Sequence, residues 1–254
     1  MHRYRIPLPG RVLELLGPGD PDAILDEPET ERRFHAEDEH LPYWARPWAA
    51  SIMLAAHVMQ HHRALPPEYS NPVGDEGVAA PAADVAGSNC GTPSAWPAGT
   101  ARLSMPARRA LDLGCGLGLA GLAAAAAGWR VLLTDYEPAA LDFARASAEA
   151  NGLAERTEFA RLDWRTPPDP AGYGMLLGAD VLFEARWVEP IAEIARRFAA
   201  AGATALICDP NRRTAEGFAD ALSRRGVTPI RHAAVCVDFD NASVGGTLYE
   251  IRAQ

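Results

Sequence analysis

Beyond residue 108, short apolar runs alternate with stretches of helical spacing, and this alternation constrains the fold more than any other feature of the sequence. Five runs have the length and composition of strands, at residues 110–113, 131–134, 159–162, 175–182 and 203–208. Helical stretches follow at residues 119–127, 138–150, 188–200 and 214–225. Strands and helices that alternate in this way form βαβ units, which build a parallel sheet with right-handed crossovers. The sequence therefore predicts a doubly wound α/β domain.

The end of the chain breaks this alternation. Residues 233–239 and 247–252 are strand-like, and only residues 240–246 separate them. This connection is too short for a crossover helix but sufficient for a hairpin. We therefore expect a mostly parallel, seven-stranded sheet that ends in an antiparallel strand pair, within a domain that spans residues 108–254.

The chain before residue 108 divides into two predicted segments. Residues 1–64 form a cap on the substrate side, in which residues 1–40 are irregular and acidic toward their end, and an entry helix runs from Pro47 to about His62. Residues 65–107 are rich in Pro, Gly and Ala and lack apolar periodicity. Because such a composition buries little apolar surface, it predicts a flexible insertion.

Charge and cysteine usage narrow the class of protein. The net charge of −9 argues against a nucleic-acid partner, because neutralising phosphates requires clustered basic residues. The four cysteines are widely spaced, without a Cys-x-x-Cys pair, which is typical of a reducing compartment. The most apolar stretches are too short to span a bilayer. We expect a cytoplasmic monomer that contacts neither membrane nor nucleic acid.

Three histidines at the end of the entry helix raise the question of a metal site. His57 and His61 are one helical turn apart, and His62 follows directly. The His-Glu-x-x-His arrangement of zinc enzymes is missing, and the sequence offers no evident third ligand. We therefore predict a solvated helix face here and no metal.

A glycine-rich loop follows the first predicted strand of the domain. Gly114, Gly116 and Gly118 alternate between this strand and the next helix, where a tight turn and a close ligand would collide with a Cβ atom. Parallel sheets bind ligands at the carboxyl ends of their strands. Asp135 ends the second strand, and a carboxylate there can accept both hydroxyls of a ribose. The loop predicts a nucleotide-like ligand.

Two kinds of ligand fit a loop of this type. Residues 116–121 satisfy the G-x-G-x-x-G fingerprint of dinucleotide-binding proteins. The glycine run, however, begins earlier, at Gly114, and the carboxylate of Asp112 would repel a pyrophosphate. The sulfonium and ammonium of S-adenosylmethionine would instead be attracted to Asp112. This favours S-adenosylmethionine, with a nicotinamide-dependent oxidoreductase or a catalytically silent binding module as the alternative.

Residues 111–121 resemble motif I of class I S-adenosylmethionine-dependent methyltransferases. More narrowly, the chain resembles the protein-lysine methyltransferase family that includes the electron-transfer-flavoprotein β-subunit lysine methyltransferase. The segments that carry this resemblance are residues 41–45 with Trp48, 134–141, 162–164, 178–184 and 209–212. The resemblance implies a seven-stranded methyltransferase that acts on a lysine amine of a protein substrate, with a small-molecule N- or O-methyltransferase as the alternative.

The family pattern also implies roles for individual residues. It places Asp180 and Phe183 at the site of methyl transfer. It assigns cofactor binding to Trp48, Asp112, Gly114, Gly116, Gly118, Asp135, Tyr136, Asp163, Trp164 and Ala179. Phe183 stands where the family commonly has Tyr, Ala49 where it has Pro, and Arg46 where an acidic or neutral residue is common. These departures fall on the substrate side of the implied site.

Overall fold

The structure, a computed structural model, describes residues 1–21, 23, 43–62, 108–238 and 242–253. By its contacts the chain divides into one unit of residues 1–64 with 106–254 and a second unit of residues 65–105. The predicted insertion and the acidic run before the entry helix lie outside the described residues. The division into a cap, an insertion and a catalytic domain stays a prediction.

Strands and helices of the first unit are numbered here in chain order. The strands are β1 (His2–Leu8), β2 (Arg11–Gly17), β3 (Arg109–Leu113), β4 (Arg130–Asp135), β5 (Thr157–Arg161), β6 (Met175–Ala179), β7 (Thr204–Asp209), β8 (Ile230–Val237) and β9 (Ser243–Ile251). The helices are α1 (Ala49–His61), α2 (Leu119–Ala126), α3 (Pro138–Ala150), α4 (Val188–Ala200) and α5 (Phe218–Arg224). Within the described residues, none of these helices has both the length and the apolar character needed to cross a membrane.

Seven of the strands form the central sheet, in the order β5-β4-β3-β6-β7-β9-β8. The first five strands in that order pair in parallel, whereas β9 pairs antiparallel with both β7 and β8. The predicted mostly parallel sheet with a terminal antiparallel pair is confirmed. Because β4 and β6 flank β3, crossovers run to both sides of β3, and a ligand crevice opens at the carboxyl ends of these strands.

Two hydrophobic layers cover the two faces of this sheet. Helices α1, α2 and α3 pack on one face with the β1–β2 hairpin, and α4 and α5 pack on the other. Along β3, Ala110 belongs to the first layer, whereas Leu111 and Leu113 belong to the second, because successive strand residues point to opposite faces. Asp112 therefore points toward α2, where Gly121 leaves room for its carboxylate: a Cβ atom on Gly121 would lie 2.8 Å from Oδ2 of Asp112.

Two predicted elements end earlier than the sequence suggests. The strand expected over residues 175–182 stops at Ala179, because Asp180 adopts a φ of 59°, in the left-handed region. The helix expected over residues 214–225 is split into a 3₁₀ turn, Arg213–Ala215, and α5. Gly217 lies between the two pieces as the N-cap of α5.

The prediction that residues 1–40 are irregular was wrong for residues 2–17, which form the β1–β2 hairpin. Pro9 and Gly10 interrupt the apolar pattern of the sequence, but in the structure they form the two-residue connection of the hairpin. Gly10 has a φ of 78°, which favours glycine. Leu13 and Leu15 alternate into the core and attach β2 to the first layer.

Side chains at the end of α3 satisfy the backbone of β2. The N–H of Glu14 donates to Oδ1 of Asn151 at 3.0 Å, and Nδ2 of Asn151 donates to the carbonyl of Glu14 at 2.6 Å. Two residues along the strand, the N–H of Leu16 donates to Oγ of Ser147 at 2.9 Å. Asn151 and Ser147 thus take the place of a neighbouring strand, and the backbone groups at this edge stay paired.

This edge predicts the effect of Asn151→Ala. The substitution leaves the N–H and carbonyl of Glu14 without their partner, so we expect a loss of about 1–3 kcal/mol in the free energy of unfolding. Urea denaturation measures it, with Gln60→Ala on the exposed side of α1 as control. The Glu14 amide should also exchange its hydrogen faster. An unchanged unfolding midpoint with unchanged Glu14 exchange would contradict this account.

Candidate active site

The glycine loop lies where β3 ends, and hydrogen bonds attach it to the end of β4. The N–H of Cys115 donates to the carbonyl of Thr134 at 2.8 Å, and the N–H of Gly116 donates to Oδ2 of Asp135 at 2.8 Å. Gly114 has a φ of 67°, and a Cβ atom on it would lie 2.6 Å from Cζ2 of Trp164. Glycine at position 114 is therefore required both by the backbone and by the tryptophan beside it.

Gly118 has a different role from the other two glycines of the loop. It does not line the pocket that the loop borders. Its φ is 90°, and a Cβ atom would lie 3.1 Å from side-chain carbons of Leu133 and Ala144. The need for glycine at position 118 thus comes from the start of α2 and its close packing against β4 and α3.

Two carboxyl groups are buried beside the loop. Asp112 is 1% exposed, and its Oδ2 accepts the N–H of Gly121 at 2.8 Å. Asp135 is 8% exposed and accepts the N–H groups of Gly116 and Glu137. Burial raises the pKa of Asp112 to about 7 and that of Asp135 to about 6, although these backbone hydrogen bonds act in the opposite direction.

The environment of these carboxyls fits a cationic ligand. Within the described residues, no arginine or histidine nitrogen lies within 4.0 Å of either Asp112 or Asp135, so their charges lack a counter-ion. Both side chains line the same pocket. The sulfonium and ammonium of S-adenosylmethionine would supply the missing positive charge, and a ribose would supply hydroxyl donors to Asp135.

Aromatic side chains form one wall of the pocket, which begins beside Gly114 of the glycine loop. The ring of Phe183 lies 5.2 Å from that of Tyr43 and 6.1 Å from that of Trp164, measured between centroids. Trp164 also packs edge-on against Trp187 at 5.1 Å. The indole Nε1 of Trp48 donates to the carbonyl of Tyr43 at 2.5 Å, which closes the segment before α1 on itself. Aromatic rings thus line this part of the pocket.

The residues at the end of β5 and β4 complete the cofactor side of the pocket. Tyr136 and Asp163 both line it. Asp163 accepts the backbone N–H of Arg165 at 2.9 Å and forms an ion pair with the guanidinium of the same residue. The guanidinium of Arg161 lies over the Tyr136 ring at 4.5 Å. Local contacts therefore already orient Asp163 and Tyr136.

An ion pair joins the loops that follow β6 and β7. Nε and NH2 of Arg212 donate to the two carboxylate oxygens of Asp180, at 2.6 and 2.8 Å. The guanidinium of Arg212 also lies over the Trp48 ring, 5.6 Å from its centroid. Asp180 and Arg212 both line the pocket, on its aromatic side.

The structure brings together every residue predicted for the site except Gly118. Arg212 lies in one of the segments that resemble the family, residues 209–212, but the sequence predicted no role for it. Trp187, which also lines the pocket, was likewise given no role. For Arg212 a signal was present: β6 and β7 are parallel, so the residues that follow them lie at the same edge of the sheet.

The histidines of α1 lie away from this pocket, and their predicted solvated face was wrong for His57. The His57 ring is 4.7–5.4 Å from the rings of His61, His62 and His232. Burial lowers the pKa of His57 to about 4, and its Nε2 is buried without a hydrogen-bond partner. In the part of the chain that the structure describes, no group of three or more His, Cys, Asp or Glu side chains is arranged to hold a metal ion.

Comparison with protein families adds an independent finding. A family model described as lysine methyltransferase matches residues 45–224 of this chain. The match begins just before α1 and ends with α5, so it includes the glycine loop, both buried carboxyls and the Asp180–Arg212 ion pair.

Two curated proteins are similar to part of the chain. Protein N-lysine methyltransferase METTL21A of Danio rerio is 34% identical over 88 residues, which are 32% of this chain and 40% of the relative. Histone-arginine methyltransferase METTL23 of Mus musculus is 34% identical over 100 residues, which are 35% of this chain and 38% of the relative. The chain thus spans about two fifths of the length of these curated relatives.

Solved structures that resemble part of the chain include methyltransferases. One is an S-adenosylmethionine-dependent methyltransferase of Methanosarcina mazei, 14% identical with a TM-score of 0.47, covering 57% of this chain and 92% of the other. Another is a TehB-like S-adenosylmethionine-dependent methyltransferase from Corynebacterium glutamicum, 18% identical with a TM-score of 0.44, covering 60% of this chain and 83% of the other. These likenesses concern the fold and not the reaction.

The buried carboxyls predict a pH dependence of cofactor binding. Because their pKa values in the fold are raised above the value of 3.8 for a free Asp, the ligand-free protein loses stability as pH rises from about 4 to about 6–7. A cationic ligand favours the ionised forms, so affinity for S-adenosylmethionine should increase between about pH 5.5 and 7.5, with proton release. Calorimetry in buffers of different ionisation enthalpy measures both. In Asp112→Asn much of this pH dependence should disappear; a flat wild-type profile would contradict the prediction.

The second binding prediction concerns Asp135→Ala. This substitution removes the acceptor proposed for the ribose hydroxyls and also releases the N–H of Gly116. Each hydrogen bond to a charged acceptor contributes about 1.5–3 kcal/mol, so the dissociation constant of S-adenosylhomocysteine should rise by at least about tenfold. Asp142→Ala, on the exposed side of α3, is the matched control. Equal affinities of Asp135→Ala and Asp142→Ala would show that Asp135 does not contribute to ligand binding.

Proposed function

Because the chain belongs to the lysine methyltransferase family, for which S-adenosylmethionine is the methyl donor, we propose that it methylates the amine of a lysine side chain in another protein. The chain itself contains no lysine. The observation that carries the proposal is the composition of one pocket, which has two uncompensated buried carboxyls on one side and an aromatic wall with Asp180 on the other.

The cofactor half of this proposal assigns a role to each predicted residue. Asp112 and the loop glycines 114 and 116 would contact the methionine part, and Asp135 would accept the ribose hydroxyls. Around the adenine we place Tyr136, Asp163, Trp164 and Ala179, with Trp48 beside the methionine. When bound, S-adenosylmethionine supplies a methyl group on a positively charged sulfur. The protein must bind and orient the amine that receives it.

The acceptor half rests on the aromatic wall. A lysine side chain is an apolar stem with a charged head, so its methylenes gain from contact with Tyr43, Trp48 and Phe183 while the nitrogen reaches inward. The amine must lose its proton before it can attack, which costs about 4–5 kcal/mol at pH 7 for a reference pKa of about 10.4. Exclusion of water by the aromatic rings reduces this cost, because desolvation disfavours the ammonium. Asp180 fixes the line of approach.

The proposal is tested by transfer of tritium from labelled S-adenosylmethionine into protein. The acceptor is a lysate of a host strain from which the gene has been removed, and the label is identified after total hydrolysis. We expect label in methylated lysine. Because the enzyme has no lysine, label on the enzyme band would report a different acceptor residue. Label confined to small molecules, or to protein residues other than lysine, would overturn the proposal.

The same assay tests Asp180 and Phe183. Asp180→Asn should lower transfer at least about tenfold, while its affinity for S-adenosylhomocysteine stays within a few-fold, because its proposed work is on the acceptor. Phe183→Ala should slow transfer by loosening the aromatic wall, whereas Phe183→Tyr should be tolerated. Asp142→Asn is the control for the loss of one carboxylate, and melting temperatures separate folding defects from these effects. Wild-type transfer by Asp180→Asn would exclude the assignment of Asp180.

A further inference from the structure

On the proposed acceptor side of the pocket, the buried carboxylate of Asp180 is paired with the guanidinium of Arg212. Both oxygens of the carboxylate are occupied by one guanidinium, at 2.6 and 2.8 Å. The Asp180 side chain is 6% exposed and that of Arg212 is 35% exposed, so the carboxylate is buried under the arginine. A carboxylate held in this way presents little negative charge to a third group.

We propose that Arg212 is a positioning residue that neutralises Asp180, so that the acceptor enters the site as a neutral amine rather than as an ammonium. This inference rests on the proposed function, since it concerns the amine that receives the methyl group. It assigns to Arg212 a contribution to the reaction that acts through Asp180, without contact with the methyl carbon.

The physical argument follows from the protonation state that the reaction needs. An unpaired carboxylate next to a lysine stabilises the ammonium and so raises the pKa of that amine. The ammonium has no free electron pair and cannot attack. With the guanidinium in place, the carboxylate still accepts a hydrogen bond through its remaining lone pairs, which orients the amine, but its attraction for an ammonium is weakened. Asp180 can thus orient the acceptor amine without strongly stabilising its protonated form.

Besides Asp180, the guanidinium of Arg212 interacts with a second acidic group, Asp209, so it offsets part of the negative charge at this end of the pocket. Asp209 accepts the backbone N–H of Arg212 at 2.7 Å, and burial raises its pKa to about 6. It is buried behind the ion pair and does not line the pocket. Two further titratable groups interact electrostatically with this cluster: the thiol of Cys208 with Asp180 and Asp209, and the phenol of Tyr43 with Arg212. One more basic group lines the pocket, Arg46, whose guanidinium lies over the Trp48 ring, 4.9 Å from its centroid. The remaining charged groups of the lining are acidic and lie on the cofactor side: Asp112, Asp135, Glu137 and Asp163.

The two loops are also connected without the ion pair. The N–H of Asp180 donates to the carbonyl of Cys208 at 2.8 Å, and Oγ1 of Thr214 donates to the carbonyl of Leu182 at 2.6 Å. Oγ1 of Thr247 on β9 bonds to Oδ1 of Asn211 at 2.8 Å. Because these bonds survive removal of the guanidinium, variants of Arg212 should fold and bind the cofactor.

The test is the pH profile of methyl transfer by Arg212→Gln. The probe is again the lysate of the deletion strain, and initial rates of lysine labelling are measured from about pH 6.5 to 9.5. We expect the rising limb of the profile to move up by about one pH unit or more, which is a loss of about tenfold at pH 7 that shrinks as pH rises. Varying the lysate concentration should place this loss in kcat rather than in KM.

Two further variants complete the design. Arg212→Lys keeps the positive charge but loses the two parallel hydrogen bonds of the guanidinium. Its pH profile should therefore lie between those of the wild type and Arg212→Gln. Arg213→Gln removes a neighbouring, exposed arginine outside the pocket and should behave as wild type. Affinity for S-adenosylhomocysteine should stay within a few-fold in all three.

A loss of the same factor at every pH would overturn the inference, because it would describe packing of Arg212 on Trp48 and not control of a proton. An unchanged profile would overturn it as well. Both results leave the proposed function intact, since lysine is still labelled. A wild-type protein that labels no lysine at any pH would instead overturn the proposed function, and this inference with it.

Discussion

The parallel pairing of β3 with β4 and β6 is the interaction on which the site depends. In this register the carboxyl ends of three strands reach one edge of the sheet, and each strand is followed by a residue that the pocket uses. The glycine loop follows β3, Asp135 ends β4, and Asp180 follows β6. None of the three is close to another in sequence. A shift of register by one residue would turn Asp112 away from α2 and place a leucine at the cofactor.

The pocket has two kinds of carboxylate, and their environments are opposite. Asp112 and Asp135 are buried, and among the described residues no arginine or histidine forms an ion pair with them. Asp180 is buried with a cation at hydrogen-bond distance and is therefore already balanced. If the proposed function and the proposed role of Arg212 hold, the cofactor side attracts positive charge, while the acceptor side favours an uncharged amine.

Local patterns explain how much of the fold could be predicted from the sequence. The glycine loop and Asp135 could be placed because their chemistry requires specific residue types next to strand ends. The β1–β2 hairpin could not, since its edge is satisfied by Asn151 and Ser147, which lie more than 130 residues away in sequence. The pairing of Asp180 with Arg212 also depends on sheet order. Gly118 was predicted to bind the ligand, but in the structure it is required for packing. Packing and ligand binding both select glycine, so the sequence does not distinguish the two.

The aromatic wall has an optical consequence. Of the six tryptophans in the chain, Trp44, Trp48, Trp164 and Trp187 all line the pocket. Indole emission shifts in wavelength with the polarity and water content of its surroundings, and it is quenched by charged or stacking groups nearby. Four of the six indoles of this protein therefore lie where ligand binding would change their surroundings. Occupancy of the pocket can be followed in real time from the light that the protein itself emits, with no dye and no label attached.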